Sequence, residues 1–497
     1  MGDSQGGKLA IFLVILIWIV TGVLSSHFRG GIFMVRPKPG GAEREVEISY
    51  HISWRRSSGG SATHCDDTTV STRTAISGLG SFTCQYGCSG TTASLQYICT
   101  DYSSQEDWSY GEYQYEINFA STNSDNTVTI GFAGCCWVGF GWWNLSTTFS
   151  VARRSDTGLI NSSPRAITAP VLRLQQGCNH TIVLAVSDPD NDIVRCRWAE
   201  GVECSGICHT STFYGATLDS DSCTIRYEAN RGTGYQAAAL MIEDFMPGSS
   251  RPLSNVALQF LILIIPATEA CSAQPQFIDP TLPNGVCISI TPGATFTTQL
   301  TANSFSSSLS IVEFQTVSPI GTNRGQIQRT PGTNVYYVNV AWTPVASQQN
   351  QTHLFCYTAL NSVGVASEQR CVLLAAGYYP PIPYQDSSLS TKQLFHPLNI
   401  AILIRFDRAV KRPSLSAHLV FYEFYSEREV HRIDTSSSSE ITFNNLTVTV
   451  VPNYLFAERQ TYYIIFERGV VQGIEGCGAS NDPVSDKNSW VFAVTGK

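Results

Sequence analysis

Charge is scarce in this 497-residue chain: Asp, Glu, Lys and Arg together make up 14%, against the roughly 25% usual for soluble domains. Hydrophobic residues at 43% are enough to bury cores, which excludes wholesale disorder. Positive charge is the scarcer sign, 31 Lys and Arg against 39 Asp and Glu, a net of −8. That balance offers no basic footprint for nucleic acid and no polybasic stretch for anionic lipid. Helical periodicity is nearly missing after the first 24 residues. Long apolar runs are missing there too; Ala257–Ile265 is short enough to be a buried strand rather than a membrane span. Local catalytic signatures are also missing: no G-x-S-x-G elbow, no H-E-x-x-H helix and no P-loop occurs. The nine histidines are scattered without ligand spacing. The expectation is a protein that is not an enzyme, although a carboxylate pair assembled from distant strands is invisible to motifs. Arg-Gly-Asp is absent as well.

What is present points outside the cytosol. Sixteen cysteines stand at 65, 84, 88, 99, 135, 136, 178, 196, 204, 208, 223, 271, 287, 356, 371 and 477. In a secreted chain they read as a disulfide framework. Cys84-x3-Cys88 and Cys204-x3-Cys208-His209 lack the second ligand pair of a zinc site, so disulfides are expected there. A ring closed between adjacent Cys135 and Cys136 is strained, so each is expected to have its own partner. The cluster Cys178–Cys223 holds an odd number, which Cys271 can complete. Cys287, Cys356, Cys371 and Cys477 then remain, with one bridge expected between domains. Lys8 followed by Leu9–Leu24 and Ser25-Ser26 reads as a signal peptide over residues 1–26, with an uncleaved anchor as the alternative. The C-terminus carries no lipid-anchor signal. Sequons at Asn144, Asn161, Asn179, Asn350 and Asn445 fit a secreted or cell-surface glycoprotein.

Short β-branched and aromatic runs separated by Gly, Pro, Asn and Ser indicate an all-β chain of tandem, disulfide-braced immunoglobulin-like β-sandwich domains. Pro- and Ser-rich stretches at 155–170, 266–285 and 377–392 divide it into pieces spanning 27–155, 166–268, 276–376 and 393–497. In the first, Cys- and Trp-rich piece, Glu45–Trp54 alternates with Val46, Ile48, Tyr50 and Ile52 on one face. Trp137, Trp142 and Trp143 stand close together later in that piece. They are candidate sugar-stacking platforms, and buried packing beside disulfides is the other reading.

The later pieces carry family resemblances. In the second, a strand, Ser187-Asp188-Pro189-Asp190-Asn191-Asp192, a strand ending at Trp198 and the closing hairpin Gly234–Phe245/Val256–Ile265 resemble polycystic-kidney-disease and cadherin-like modules. In the third, Val340–Pro344 and His353–Leu374 are similar to hyaline-repeat-like immunoglobulin modules. In the fourth, Asn399–Phe406, Ile441–Pro452 and Thr461–Val471 resemble the surface-layer-type immunoglobulin-like domain, with its three strand motifs in order. The module order resembles uncharacterised invertebrate surface or secreted proteins and implies no biochemical activity.

The acidic loop is the leading candidate site. Alternate carboxylates in a turn can converge on Ca2+, which takes about six to eight oxygens. The cadherin resemblance makes Asp188, Asp190 and Asp192 ligands, with Glu243 and Asp244 beside them. The competing reading is an Asx-stabilised turn, in which Asn191 takes a left-handed position. Asp219-Ser220-Asp221 is a weaker copy. Asp386-Ser387-Ser388-Leu389-Ser390 matches a metal-adhesion motif only by accident, because it follows a Pro-rich linker rather than a buried strand. The expected function is non-enzymatic: adhesion, recognition or matrix structure, stiffened by Ca2+ if the loop binds it, with no other cofactor. Carbohydrate binding through the tryptophans and an extracellular hydrolase are the alternatives. Partners are an extracellular protein or glycan, not nucleic acid, and membrane only if the N-terminal segment stays uncleaved.

Overall fold

The computed structural model describes residues 28–42, 44–57, 64–89, 93–119, 122–134, 137–267, 269–384, 393–395, 400–474 and 477–495. The N-terminal segment, Cys135, Cys136 and the Asp386–Ser390 motif lie outside them. The fold is all-β, with 51% of residues in strands and 3% in helix. Two compact units are present. One comprises residues 1–281, 297–342 and 354–370; the other comprises 282–296, 343–353 and 371–497.

A 12-stranded sheet dominates the first unit. Its strands up to residue 150 are β1 (Phe28–Pro37), β2 (Glu45–Arg55), β3 (Ala75–Ser81), β4 (Thr83–Tyr86), β5 (Ser94–Ser103), β6 (Trp108–Asn118), β7 (Thr127–Gly134) and β8 (Trp143–Ser150). The alternation read in β2 is realised: Val46, Ile48, Tyr50 and Ile52 are all fully buried. A short helix, α1 (Asp67–Thr72), follows β2; the Asp66 carboxylate caps it by accepting the Thr69 amide. Beyond residue 160 come β9 (Arg165–Ile167), β10 (Val171–Gln175), β11 (Asn179–Val183), β12 (Ala185–Ser187), β13 (Ile193–Trp198), β14 (Thr217–Asp219), β15 (Thr224–Glu228), β16 (Gly234–Phe245) and β17 (Ser254–Ile265).

Strand β17 holds the large sheet together. Its sequence SNVALQFLILII is apolar on both faces and buried at ten of its twelve positions, as a strand enclosed on both sides must be. Along one edge it pairs antiparallel with β16, from Ser254 opposite Asp244 to Ile264 opposite Gly234. Along its other edge three strands follow one another. Asn255 and Val256 meet β8, Leu258–Phe260 meet β1, and Leu261–Ile265 run parallel to β10. One strand thus receives partners from both sides of the 155–170 stretch.

The close approach of β1 to β17 demands glycine at position 30. Gly30 sits at φ 145° beside a bulge, and a Cβ there would lie 2.3 Å from the Gln259 carbonyl oxygen. Disulfides brace the same unit through Cys65–Cys99, Cys84–Cys88, Cys178–Cys271, Cys196–Cys223 and Cys204–Cys208. Both Cys-x3-Cys pairs are therefore closed on themselves, and Cys271 completes the second cluster. The unit also contains Ile311–Val317, paired with residues 356–361, and Val335–Trp342, paired with Thr322–Arg324.

In the second unit, Ile402, Ile404, Phe421, Val448, Val450, Tyr462, Ile464, Trp490 and Phe492 belong to one core cluster. The motifs read in the fourth piece supply it: Ile402–Arg405 pairs with Thr447–Val450, and Thr461–Phe466 with Val491–Val494. Cys287 bridges to Cys477, 190 residues away. No cysteine among the described residues is free.

The Gly30 constraint is directly testable. Gly30→Val combines a backbone conformation hostile to β-branched residues with a clash against backbone, and is expected to cost about 2–4 kcal/mol. Gly40→Ala, also at positive φ but with nothing within 4 Å, is expected to cost less. Denaturant unfolding of the two variants distinguishes them; equal losses would contradict the close-approach explanation.

Candidate functional site

The acidic loop connects β12 to β13, and its three carboxylates offer oxygens within 4.8 Å of one another. Asp188 Oδ1 accepts the amides of Asp190 at 2.8 Å and Asp192 at 2.9 Å, which closes an Asx turn. Asn191 takes the left-handed position at φ 63°. The carboxylates of Asp190 and Asp192 are engaged by neighbours. Asp190 accepts the Ser162 amide at 2.7 Å and its hydroxyl at 3.1 Å. Asp192 receives both terminal nitrogens of Arg154, whose guanidinium also bonds Asp156. Asp188 Oδ2 is buried without a hydrogen-bond partner. Burial, reinforced by Asp244, Asp190 and Asp192, pushes the Asp188 carboxyl up to about 7. The bonds to Asp192 and Asp156 hold Arg154 protonated well above its ordinary range.

The other two acids are committed elsewhere. Glu243 meets Arg197 at 2.9 Å, and Arg197 also meets Glu203 at 2.7 Å. Asp244 is fully buried and accepts Asn161 Nδ2 at 2.6 Å and the Ser254 amide and hydroxyl at 2.7 Å each. Asp219 accepts the amides of Asp221 and Ser222, again as an Asx turn.

The three tryptophans divide. Trp137 and Trp143 are buried around Phe28, with Trp143 stacked on that ring at 4.0 Å. Neither has a free face to offer a sugar, since aromatic burial has already used both. Trp142 alone is exposed, at 66%. The sequons divide as well. Asn179, Asn350 and Asn445 are exposed and Asn144 is half-buried. Asn161 is 3% exposed, donates to Asp244 and accepts from Arg154 at 2.7 Å.

A polar cluster that no motif announced sits where β5 and β6 meet the segment 313–324. Asp101 accepts the Thr316 amide and hydroxyl at 2.7 Å each, and Arg324 at 2.8 Å. Glu313 accepts the hydroxyl of buried Ser103 at 2.6 Å. Glu106 pairs with Arg173 of β10, whose Nη1 donates to the Gly364 carbonyl at 3.1 Å. Glu112 accepts the Ile320 amide at 2.6 Å and lies 3.6 Å from His51. Burial raises the carboxyls of Glu106 and Glu313. It pushes Glu112 up to about 7 and His51 down to about 4. The contacts of Asp101, Ser103 and Glu112 with the segment 313–324 join residues more than 200 apart in sequence, so spacing gave no signal.

Residues 29–152 match the family model described as "Integrin beta-like protein A-E, N-terminal". That is a different family from those the later motifs resemble, and it falls where the sequence suggested no family. No curated protein matches the chain. Among solved structures, the Protocadherin Gamma B7 extracellular cadherin domains 1–4 align at 11% identity over 61% of this chain and 67% of that one, with a TM-score of 0.17. The sialic acid binding region of the Streptococcus Sanguinis SK1 adhesin aligns at 12% over 49% and 92%, also at 0.17. Titin Ig tandem domains A164-A165 align at 10% over 43% and 97%, at 0.15. At these scores none of the three likenesses bears on function.

Glu112 carries a pH dependence whose sign follows from its raised pKa. Its stabilising contribution is complete below the ordinary value of 4.5 and is lost as pH rises through about 7. His51 is common to both proteins in the comparison and drops out. Glu112→Gln keeps an acceptor for the Ile320 amide, and is expected to raise the melting temperature by about 2–4 °C at pH 8 and by nothing at pH 4. Thermal unfolding across that range checks it; no gain at pH 8 would contradict the burial of a charge there.

Proposed function

We propose that this chain is a non-enzymatic extracellular protein of adhesion or recognition, with residues 28–152 contributing the recognition surface. The observation that carries this is the match of residues 29–152 to an integrin beta-like N-terminal domain. The disulfides support the compartment, because such bridges persist where thiols are oxidised. Among the described residues no helix is long and apolar enough to cross a membrane. Beads coated with the full secreted chain are expected to adhere to cells or extracellular matrix. Soluble native chain should compete, and the same chain reduced and unfolded should not. Turnover of a glycan or peptide by clean protein, with no adhesion to any surface, would overturn this reading.

Calcium enters it as a competitor of Arg154. For an ion to gather Asp188, Asp190 and Asp192, the guanidinium must leave Asp192, while buried Asp188 Oδ2 stands ready as one ligand. Calcium is therefore expected to raise the melting temperature relative to EDTA by more in Arg154→Gln than in the native chain. Superimposable calcium and EDTA curves for both proteins would remove the ion from this reading.

A further inference from the structure

We propose that Asn144 carries an N-linked glycan whose first sugar ring lies on the exposed indole of Trp142. The proposal rests on the extracellular reading, since the modification is made only on chains leaving the cytosol. Asn144-Leu145-Ser146 is a sequon at the start of β8. Alternation along the chain places Trp142 and Asn144 on one side, opposite buried Trp143 and Leu145. The carboxamide is held in a defined orientation. Its Oδ1 accepts Gln85 Nε2 at 3.0 Å, and Nδ2 donates one hydrogen to the Val202 carbonyl at 3.2 Å. Among the described residues no acceptor takes the second hydrogen.

Near that unengaged N–H stand the only exposed tryptophan of the three and Val202, which is 82% exposed. The loop bearing Val202 is tied to the tryptophan by the Gly206 amide, which donates to the Trp142 carbonyl at 3.2 Å. It is tied to itself by Cys204–Cys208. A large indole exposed beside a braced loop is explained if an amphipathic ring covers it, and a sugar presents an apolar C–H face together with hydroxyls for solvent.

The chemistry balances with a lipid-linked oligosaccharide pyrophosphate as donor. Asn144 Nδ2 bonds to the anomeric carbon of an N-acetylhexosamine. The carbon–oxygen bond to pyrophosphate breaks with its electron pair, and the amide loses one proton. Its remaining N–H continues to serve Val202. Asn161 gives the contrast. Its Nδ2 is buried against Asp244, so a sugar there would expel the side chain from the fold.

The test uses the full chain secreted by eukaryotic cells. Glycopeptide mass spectrometry is expected to find Asn144 occupied and Asn161 bare. Thermal unfolding of native chain, Trp142→Ala, Asn144→Gln and the double variant is expected to give coupling. Losing the glycan should lower the melting temperature by a few degrees with Trp142 present and by less in the Trp142→Ala background. Trimming the native glycan enzymatically to its first sugar should leave the melting temperature unchanged, a readout that needs no variant to fold. Occupancy at Asn179, Asn350 or Asn445 with Asn144 bare would overturn this proposal and leave the extracellular reading intact. No occupancy at any sequon of the secreted chain would overturn this proposal as well, whereas retention of the chain in the cytosol would overturn the extracellular reading on which it rests. An occupied Asn144 whose effects are simply additive with those of Trp142 would overturn the stacking.

Discussion

The burial of β17 on both faces and along both edges is the constraint on which the large sheet depends. A strand so apolar cannot lie at a solvent-facing edge, where its unpaired backbone would invite aggregation. It takes β16 along one edge and β8, β1 and β10 in succession along the other. Each fully buried Leu, Ile, Val or Phe contributes about 1.5–3 kcal/mol. The run from Val256 to Ile264 therefore outweighs any single polar contact nearby. The consequence is mechanical: residues 28–150 and the strands β10, β13, β16 and β17 share one hydrogen-bonded sheet rather than meeting through a linker.

The polar cluster around Asp101, Glu106, Glu112 and Glu313 works differently. Buried ion pairs such as Arg324–Asp101 add little net stability over an apolar packing of the same shape, yet losing one partner costs about 3–5 kcal/mol. Such a cluster selects one arrangement of the strands 311–317 and 322–324 against β5 and β6, because any shifted arrangement leaves charges unpaired. Apolar burial in β17 supplies the adhesion of the sheet, and the carboxylates supply its specificity. The same division holds at the acidic loop, where Arg154 ties Asp192 and Asp156 together and Ser162 holds Asp190.

Local patterns carried the all-β class into the sequence. Val46–Ile52 alternates because one face of β2 is core, Ala257–Ile265 is apolar at every position but Gln259 because β17 has no outer face, and the motifs of residues 402–466 fill a single core. Cysteine parity identified Cys271 as the partner of the second cluster because pairing is an arithmetic constraint. What composition could not show was which tryptophan is buried. Trp143 differs from adjacent Trp142 in the face it presents, and Trp137 lies across a Gly-containing turn from both. Nor could it show that Arg154 serves the acidic loop, or that Asp101 meets Arg324, since both contacts are made between segments far apart in the chain.

Hydrogen exchange of the full chain followed by mass spectrometry tests the central claim, that β17 joins the two stretches into one cooperative body. Amides of Gly31 and Ile32 in β1 and of Leu258 and Phe260 in β17 are expected to open together, at the free energy of the sheet's global unfolding. Independent opening of residues 28–150, at a lower free energy and with β16 and β17 still protected, would contradict it.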